Sequence, residues 1–393
     1  MSFPASSPLY LGFDLDRLEG VSLSEILHIA TAHELLSLST DDIHRAYFEW
    51  AEKKGLNINS GIIGTPKYVA DFMVRESVRI MKKRASRLSW YDPCCGSGIF
   101  IESILNHCRN ESGFLSLNCL PSITAVELSP AGIFCAILVI NKMLEYDGLS
   151  VSDYIASNKL NLILDDSLSL FEEQQSLIGK INTRFDVAIG NPPYVRANRL
   201  SPNQKEHLKQ RFPFTYYGTA DLYFYFISSA MSSLNDGGVT CFISPANFFR
   251  STSAIPLRTS LSTRATLLRL IDLDELPVFH NADIHTAIYW LKNSIPNTKD
   301  KYFLYSHLVS INDLEKLKNS SIQYEKLHLN RITSSGWQFS RDDESKDISK
   351  YRHVISLKEA GFTIYSGIRP GLKNAFVHDE SIASSLSEEM RYE

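Results

Sequence analysis

The chain has 393 residues, of which 44% are hydrophobic and 21% are charged. This composition is typical of globular proteins and excludes a disordered, collagen-like or coiled-coil chain. The 40 basic and 44 acidic side chains give a formal net charge of −4, which argues against a protein that coats nucleic acid by charge alone. No stretch approaches the about 18 apolar residues of a membrane span, and the cysteines lack zinc or disulfide spacing. We expect a cytoplasmic protein without a metal site.

Residues 1–60 are predicted to form a helical N-terminal extension. Their apolar side chains recur at a spacing near four, and Asp41 precedes IHRAYFEWAEKK as a predicted helix cap. No residue of this extension indicates a function.

Seven short apolar runs follow residue 88, and segments of helical length separate most of them. The runs are SWYDPC, SITAVELS, NLILDDS, FDVAIGNPP, GVTCFISP, LLRLIDL and AIYWLKN. This alternation predicts an α/β domain with a mostly parallel sheet and helices on both faces. We place that domain at residues 61–310 and a polar connector at residues 311–360.

The sharpest motif lies at the end of the fourth run, where Asn191, Pro192, Pro193 and Tyr194 follow an apolar strand. Ligands of open α/β sheets bind at the carboxyl ends of the strands. The two prolines remove backbone donors, so the Asn191 side-chain oxygen and a neighbouring carbonyl offer a pair of acceptors to one amino group. Tyr194 adds an aromatic face. The alternative interpretation is a surface turn after a buried strand.

A glycine-containing turn joins the first predicted strand to a helix in WYDPCCGSGIFIESIL. Gly96 and Gly98 allow the backbone to approach a ligand, and the helix N-terminus offers N–H groups to a carboxylate. Glu127 and Asp166 end the next two predicted strands, where carboxylates can accept from ribose hydroxyls and from an adenine amine. Each acid alone is more typical of a helix cap or turn, but their order and spacing favour a nucleoside site.

Together these motifs resemble the N6-adenine DNA methyltransferases of restriction-modification systems, of the N-P-P-Y, Eco57I/TaqI-like type, from about residue 62 to residue 377. DPCCGSGIF resembles the family's D-P-x-C-G-S-G-x-F, with Cys94 where alanine is usual. The resemblance implies a Rossmann-like methyltransferase fold with a seven-stranded sheet, and S-adenosylmethionine as the cofactor. The cofactor-binding residues that it implies are Thr65, Pro66, Asp92, Gly96, Gly98, Glu127, Leu128, Asp166 and Phe226, with Asp221 nearby.

The resemblance also implies the substrate, double-stranded DNA with a flipped adenine. Asn191 and the Pro192 carbonyl would hold the adenine amine, whose lone pair is otherwise delocalised into the ring. Tyr194 would stack on one face of the base, and Phe279, in PVFHNADIHTAIYWL, on the other. No metal and no general base are required.

Contact with DNA is predicted for the basic segment ANRLSPNQKEHLKQRF, which follows the catalytic motif. It could track phosphates, although a solvated helix face is the equal alternative. The basic residues predicted to make this contact are Arg199, Lys205, Lys209 and Arg211, together with Arg196 directly before the segment. Residues 361–393 resemble the start of a target-recognition domain, and we expect it to be truncated, with a separate specificity subunit as a possible partner.

Two other functions remain open at this point. Enzymes that methylate the N5 atom of a glutamine in release factors share N-P-P-Y, but they lack the segment GTPKYVADFM and the hairpin of Phe279. A catalytically idle DNA-binding or cofactor-binding remnant is the third possibility. The presence of Asn191, Glu127 and Asp166 argues against it.

Overall fold

The computed structural model describes residues 14–32, 38–56, 61–169, 184–274, 276–279, 284–295 and 301–339. The chain divides after Phe339. The predicted target-recognition segment, residues 361–393, lies outside the described residues. Among the described helices, none combines the length and the apolar character that a transmembrane span needs.

The helices of the described residues alternate with strands over most of the chain, as predicted. They are α1 (Leu23–Ala32), α2 (Thr40–Lys53), α3 (Lys67–Met81), α4 (Ile99–Ser112), α5 (Pro130–Glu145), α6 (Val151–Ala156), α7 (Pro202–Arg211), α8 (Leu222–Ser232), α9 (Ile255–Arg264) and α10 (Ile311–Lys318). The strands are β1 (Ser89–Asp92), β2 (Ser122–Glu127), β3 (Leu160–Leu164), β4 (Phe185–Gly190), β5 (Leu234–Pro245), β6 (Ala265–Asp272), β7 (Thr286–Asn293), β8 (Tyr302–His307) and β9 (Glu325–His328).

All nine strands form one sheet in the order β3-β2-β1-β4-β5-β7-β6-β8-β9. The pairs among β1 to β5 are parallel, whereas β7 runs antiparallel to both β5 and β6. The order reverses between β1 and β4, and a crevice opens outside the carboxyl ends of the strands at such a switch point. The sheet therefore places a ligand site where β1 and β4 end.

The seven predicted strands are all present, but the sheet is larger than the seven strands expected. β8 pairs with β6 and β9 pairs with β8, so the sheet continues beyond the last predicted strand. The prediction of a connector at residues 311–360 is therefore wrong for its described part, which contains α10 and β9. Buried side chains of this region, such as Leu317 and Trp337, are separated by polar stretches. The sequence pattern therefore did not indicate that they are buried.

Two apolar cores lie on opposite faces of the sheet. The first is built mainly by α1 to α6, and the second by α7, α8 and α9. Helices on both faces explain why the central strands are apolar along nearly their whole length, since neither side of them meets water. The predicted layering is thus observed.

Helix α2 begins two residues earlier than predicted from the sequence. Its N-cap is Ser39 and not Asp41: the Ser39 hydroxyl accepts from the Asp42 N–H, and the Asp42 carboxylate accepts from the Ser39 N–H. This reciprocal pair is a capping box and satisfies two otherwise unpaired backbone donors. Asp41 contributes only its negative charge to the first turn.

Arg258 of α9 fastens the last described segment to the rest of the unit. Its side chain is 1% exposed, and its guanidinium donates to the carbonyls of Phe248, Ser251, Ser334 and Ser335. A buried guanidinium needs such acceptors because it has left water without gaining a counter-charge. Residues 334–335 are held in place by these bonds.

Candidate active site

A cavity of about 680 Å³ lies at the carboxyl ends of β1, β2, β3 and β4. The turn after each of these strands contributes to its wall, which is where the sequence placed the ligand site. Of the predicted site residues, the wall includes Thr65, Gly96, Glu127, Leu128, Asp166, Asn191, Arg199 and Phe226. It does not include Pro66, Asp92, Gly98, Pro192, Tyr194 or Phe279.

Glu127, at the end of β2, joins two of the cavity's turns. Its carboxylate accepts from the Gly96 N–H at 2.8 Å and from the Ser129 N–H at 2.9 Å. Burial raises the pKa of Glu127, and the hydrogen bonds from Ser129 and Gly96 oppose that rise. Gly132 leaves the room for this side chain, since an added Cβ there would lie 2.9 Å from Glu127 Cγ.

Gly96 and Gly98 have different surroundings, although both were predicted to let the backbone approach a ligand. Both have positive φ, at +52° and +88°. Gly96 lines the cavity, whereas an added Cβ at Gly98 would lie 3.2 Å from the Cα of Ala136 in α5. The structure thus explains Gly98 by close packing of α4 on α5 and not by approach to a ligand.

Asp92 lies behind the glycine turn and is 1% exposed. Its Oδ1 accepts from the Cys94 N–H at 3.1 Å, and its Oδ2 has no hydrogen-bond partner among the described residues. Burial raises the pKa of Asp92 to about 8, and the nearby Glu127 charge adds to the rise. Asp92 therefore carries a proton at neutral pH and supports the turn from beneath.

Asp166 reaches the cavity after β3, together with the exposed Asp165. Asp166 Oδ1 accepts from the Leu168 N–H at 3.0 Å, which orders its own turn. A carboxylate oxygen has two lone pairs, so each Asp166 oxygen keeps the capacity to accept from a ligand. The prediction of an acceptor at this strand end is compatible with the geometry.

Asn191 is the most informative side chain of the site. Its Nδ2 donates to the Ile63 carbonyl and to the Thr65 hydroxyl, both at 3.1 Å. Because a carbonyl can only accept, the nitrogen of the amide must face Ile63, and this fixes which end is Oδ1. Oδ1 is buried and has no hydrogen-bond partner among the described residues. An acceptor is left at the cavity for a group that can donate.

The segment before α3 supports this arrangement. Gly61 O accepts from the Tyr194 N–H at 3.2 Å, and an added Cβ at Gly61 would lie 2.5 Å from Tyr194 N. Thr65 lines the cavity and holds Asn191, whereas Pro66 caps the first turn of α3 and does not line it. The glycine at 61 is thus needed for the close approach of this segment to Tyr194.

Tyr194 and Phe279 contact each other, but their rings are not parallel. Their ring centroids are 6.1 Å apart and their planes meet at 82°, in an edge-to-face contact. The Tyr194 hydroxyl donates to the Ile243 carbonyl at 3.4 Å. Perpendicular rings in contact leave no gap for a base between them, so the predicted stacking requires one ring to move.

The basic segment forms α7, and one face of this helix covers the cavity. Leu200, Asn203, Gln204, His207 and Leu208 line it, as does the exposed Arg199. Arg196 and Lys209 are exposed and Lys205 is half-buried. Arg211 donates to the Leu168 carbonyl and so helps to hold the turn after β3. Helix α7 thus has one solvated face and one face on the cavity, and its contact with DNA stays a prediction.

Two predicted neighbours of the site differ in position. Phe226 of α8 lines the cavity, but Asp221 does not. The Asp221 carboxylate accepts from the Ala197 N–H and from the Asn247 amide, each at 3.1 Å. Asp221 thus fastens the segment that follows Tyr194.

Helix α2 also lines the cavity, although no function was predicted for it. Tyr47 and Phe48 of α2 line the cavity beside Glu127 and the glycine turn. Phe48 also contacts the segment before α3, since an added Cβ at Gly64 would lie 2.9 Å from its ring. The available signal was two adjacent aromatic residues in a helix with an acidic first turn, but this pattern looks like any amphipathic helix.

Residues 123–279 match the Eco57I restriction-modification methylase family. The predicted family resemblance is confirmed. The Type II methyltransferase M.HincII of Haemophilus influenzae is 26% identical over 71% of this chain and 45% of its own length. The restriction enzyme and methyltransferase RM.Eco57I of Escherichia coli is 32% identical over 28% of this chain and 11% of its own length.

Solved structures share the fold. A Listeria monocytogenes chain assigned as a class I S-adenosylmethionine-dependent methyltransferase has a TM-score of 0.51 at 19% identity, over 74% of this chain and 81% of that one. A nuclease-deletion mutant of the Type ISP enzyme LlaGI, solved with a DNA substrate mimic, has a TM-score of 0.58 at 17% identity, over 83% and 34%. The chain spans less than half the length of M.HincII and of M.PaeR7I from Pseudomonas aeruginosa.

Proposed function

We propose that this chain transfers the methyl group of S-adenosylmethionine to the N6 amine of adenine in DNA. The observation that carries the proposal is the orientation of Asn191. Its Nδ2 is occupied by Ile63 and Thr65, and its buried Oδ1 is left as an acceptor at the cavity. An adenine amine is a donor of the right kind, and it becomes a nucleophile when its hydrogens are held out of the ring plane.

The cavity has the groups that the cofactor needs. Glu127 lies at the end of β2 for the ribose, Asp166 after β3 for the adenine, and Gly96 lets the backbone come close. Leu128 and Phe226 add apolar surface for the adenine ring. S-adenosylmethionine supplies a methyl group that its sulfonium has already activated, so the protein's task is to orient the acceptor and to exclude water. A deprotonated catalytic base is not part of this proposal.

The acceptor base is proposed to leave the DNA duplex and to stack on Tyr194 and Phe279. The edge-to-face contact of these rings means that base entry includes a ring movement. Arg196, Lys205 and Lys209 supply the positive charge next to the site that phosphates need. Arg211 is less suited, because its guanidinium already donates to the Leu168 carbonyl.

Target-sequence recognition is a separate matter. Phosphate contacts fix position on the duplex but carry no sequence information, and specificity needs many base and shape contacts. We propose that another domain or a separate specificity subunit supplies them. The described residues of α7 offer only a short basic face.

The direct test is incubation of the full chain with genomic DNA and S-adenosylmethionine carrying a labelled methyl group, followed by mass analysis of the nucleosides. We expect labelled N6-methyladenine, and none with Asn191→Ala. Asn118→Ala, at an exposed residue that does not line the cavity, is the matched control and keeps activity. Labelled methylcytosine, or labelled protein without labelled DNA, would refute the proposal, and labelled glutamine would favour the second reading of N-P-P-Y.

A further inference from the structure

Three buried polar side chains form a chain between helix α2 and the glycine turn. His44 Nδ1 lies 2.7 Å from Ser97 Oγ, and His44 Nε2 lies 2.9 Å from Glu102 Oε2. The exposed fractions of His44, Ser97 and Glu102 are 6%, 1% and 2%. Buried polar groups that satisfy one another in this way fix a single local geometry. None of the three residues was predicted to have a function.

The outer end of this chain is held by the first residue of α3 and the first residue of α2. Glu102 Oε1 accepts from Lys67 Nζ and from Thr40 Oγ1, each at 2.8 Å. Lys67 begins α3, directly after Thr65 and Pro66, and Thr40 begins α2. Burial by itself would raise the pKa of Glu102, but the bonds from His44 and Lys67 lower it to about 2. Glu102 is therefore a carboxylate at every physiological pH.

The charge on Glu102 decides which ring nitrogen of His44 carries hydrogen. A carboxylate only accepts, so the Nε2 that faces it must be the N–H nitrogen. In the neutral ring Nδ1 is then an acceptor, and it receives the hydroxyl hydrogen of Ser97. Through this relay, a residue of α2 sets the direction of a hydroxyl in the cavity wall.

Ser97 lies at the end of the cavity that suits the amino-acid part of the cofactor. It lies between Gly96 and Gly98, two residues before Ile99, the first residue of the 14-residue helix α4. Glu127 marks the ribose on the other side of Gly96, to whose N–H it is bonded. A Ser-His-Glu set also activates nucleophiles in hydrolases. Here the serine is too buried to be attacked by, or to attack, a bulky substrate.

We propose that His44 is a positioning residue for the cofactor, which acts through Ser97 on the amino-acid end of S-adenosylmethionine. Helix α2 is then part of the cofactor site and not an extension that precedes it. This inference rests on the proposed function, because it names the ligand whose amino-acid end Ser97 faces. The effect on cofactor binding comes from the hydrogen bond between Ser97 and His44, and not from the bond between His44 and Glu102.

Two substitutions of His44 separate these bonds. Asparagine carries its amide group where Nδ1 lies and keeps a partner for Ser97, whereas glutamine reaches the position of Nε2 and keeps the bond to Glu102. The ligands are S-adenosylmethionine and 5′-methylthioadenosine, which has the nucleoside but lacks the amino-acid part. Calorimetric titration of the full chain gives the Kd of each, and thermal unfolding shows whether each variant is folded.

We expect Ser97→Ala and His44→Gln each to raise the Kd of S-adenosylmethionine about fivefold to tenfold, the range for one lost hydrogen bond. His44→Asn stays within about twofold of the wild type. The Kd of 5′-methylthioadenosine stays within about twofold in all three, which shows that the cavity is intact. The double variant Ser97→Ala with His44→Gln is no weaker than either single one, because both remove the same bond. Exposed His28→Gln in α1 is the control.

Three results would overturn the inference alone. The first is a loss of affinity in His44→Asn as large as in His44→Gln, and the second is a parallel loss for 5′-methylthioadenosine, since both indicate general support of the fold. Wild-type binding with unchanged Kd in every variant would also overturn it. A wild-type chain that binds neither ligand would instead overturn the proposed function, and this inference with it.

Discussion

The two sides of the cavity are held by different kinds of interaction. The cofactor side (Gly96, Glu127 and Asp166) is joined by hydrogen bonds from backbone N–H groups to carboxylates. The base side (Tyr194 and Phe279) is an edge-to-face contact between two rings. Directed hydrogen bonds fix a geometry, whereas an aromatic contact can be exchanged for another of similar energy. We infer that the cofactor side is preorganised and that the base side rearranges when a base enters.

We therefore expect substitutions on the two sides of the cavity to change different constants. Changes on the cofactor side should alter the Kd of S-adenosylmethionine, and changes on the base side should alter the KM for DNA. Asn191 lies between the two sides. Its substitution should therefore change kcat more than it changes the Kd of S-adenosylmethionine or the KM for DNA.

Asn191→Ala is expected to have the largest effect, a fall in kcat of roughly 10²–10³-fold, by analogy with the loss of one preorganised group at a transition state. The Kd of S-adenosylmethionine should stay within about threefold. Single-turnover methylation and calorimetric titration measure the two quantities. If the Kd rises as much as kcat falls, Asn191 belongs to the cofactor side and its proposed role is wrong.

Glu127→Ala should weaken cofactor binding by about 10- to 100-fold, because a hydrogen bond to a charged group contributes roughly 1.5–3 kcal/mol. The KM for DNA should not change at saturating cofactor. Titration at neutral pH tests this, with exposed Glu145→Ala in α5 as the control. An affinity within twofold of the wild type would refute the ribose assignment.

Phe279→Ala should raise the KM for DNA by about 5- to 100-fold, since stacking of one base on an aromatic ring contributes roughly 1–3 kcal/mol. The Kd of S-adenosylmethionine should be unaffected, because Phe279 does not line the cavity. Phe114→Ala, at a ring that is 55% exposed, is the control for the loss of a surface phenylalanine. A KM equal to that of the wild type would show that the base stacks elsewhere.

Asp92, beneath the cofactor side, is expected to affect stability and not catalysis or binding. Its folded pKa of about 8 exceeds the ordinary value of 3.8, so between these values the folded state holds a proton that the unfolded chain has released. The stability that Asp92 contributes is therefore fully present below about pH 4 and is lost as the pH rises through about 8. Thermal unfolding from pH 5 to pH 9 should show a shallower decline in Asp92→Asn than in the wild type. Equal slopes would contradict the assignment.

The central sheet was predictable because its strands are buried on both sides and so are short, apolar and rich in β-branched residues. Asn191, Glu127 and Asp166 were predictable because strand ends in such a sheet converge on one edge. β8 and β9 were not, since each has exposed residues and is paired with only part of its neighbour. Strands at or next to the edge of the sheet leave a weaker pattern than central ones.

The role of α2 was hidden for a different reason. His44 meets Ser97 and Glu102 across 53 and 58 residues of chain, and no local pattern marks so distant a pairing. Gly98 shows the reverse problem, because a glycine before a helix looks the same whether a ligand or a neighbouring helix needs the space. In both cases the deciding fact is tertiary packing.

Arg258 bears on where a shortened version of the protein can end. Two of the four carbonyls that its guanidinium reaches, those of Ser334 and Ser335, come from the last described segment. A fragment ending at residue 332 would keep the buried charge and remove half of its acceptors, together with the ring of Trp337 that stacks on Phe249. A fragment that continues through Phe339 keeps them all. The shortest form that we expect to express as folded protein therefore ends no earlier than Phe339.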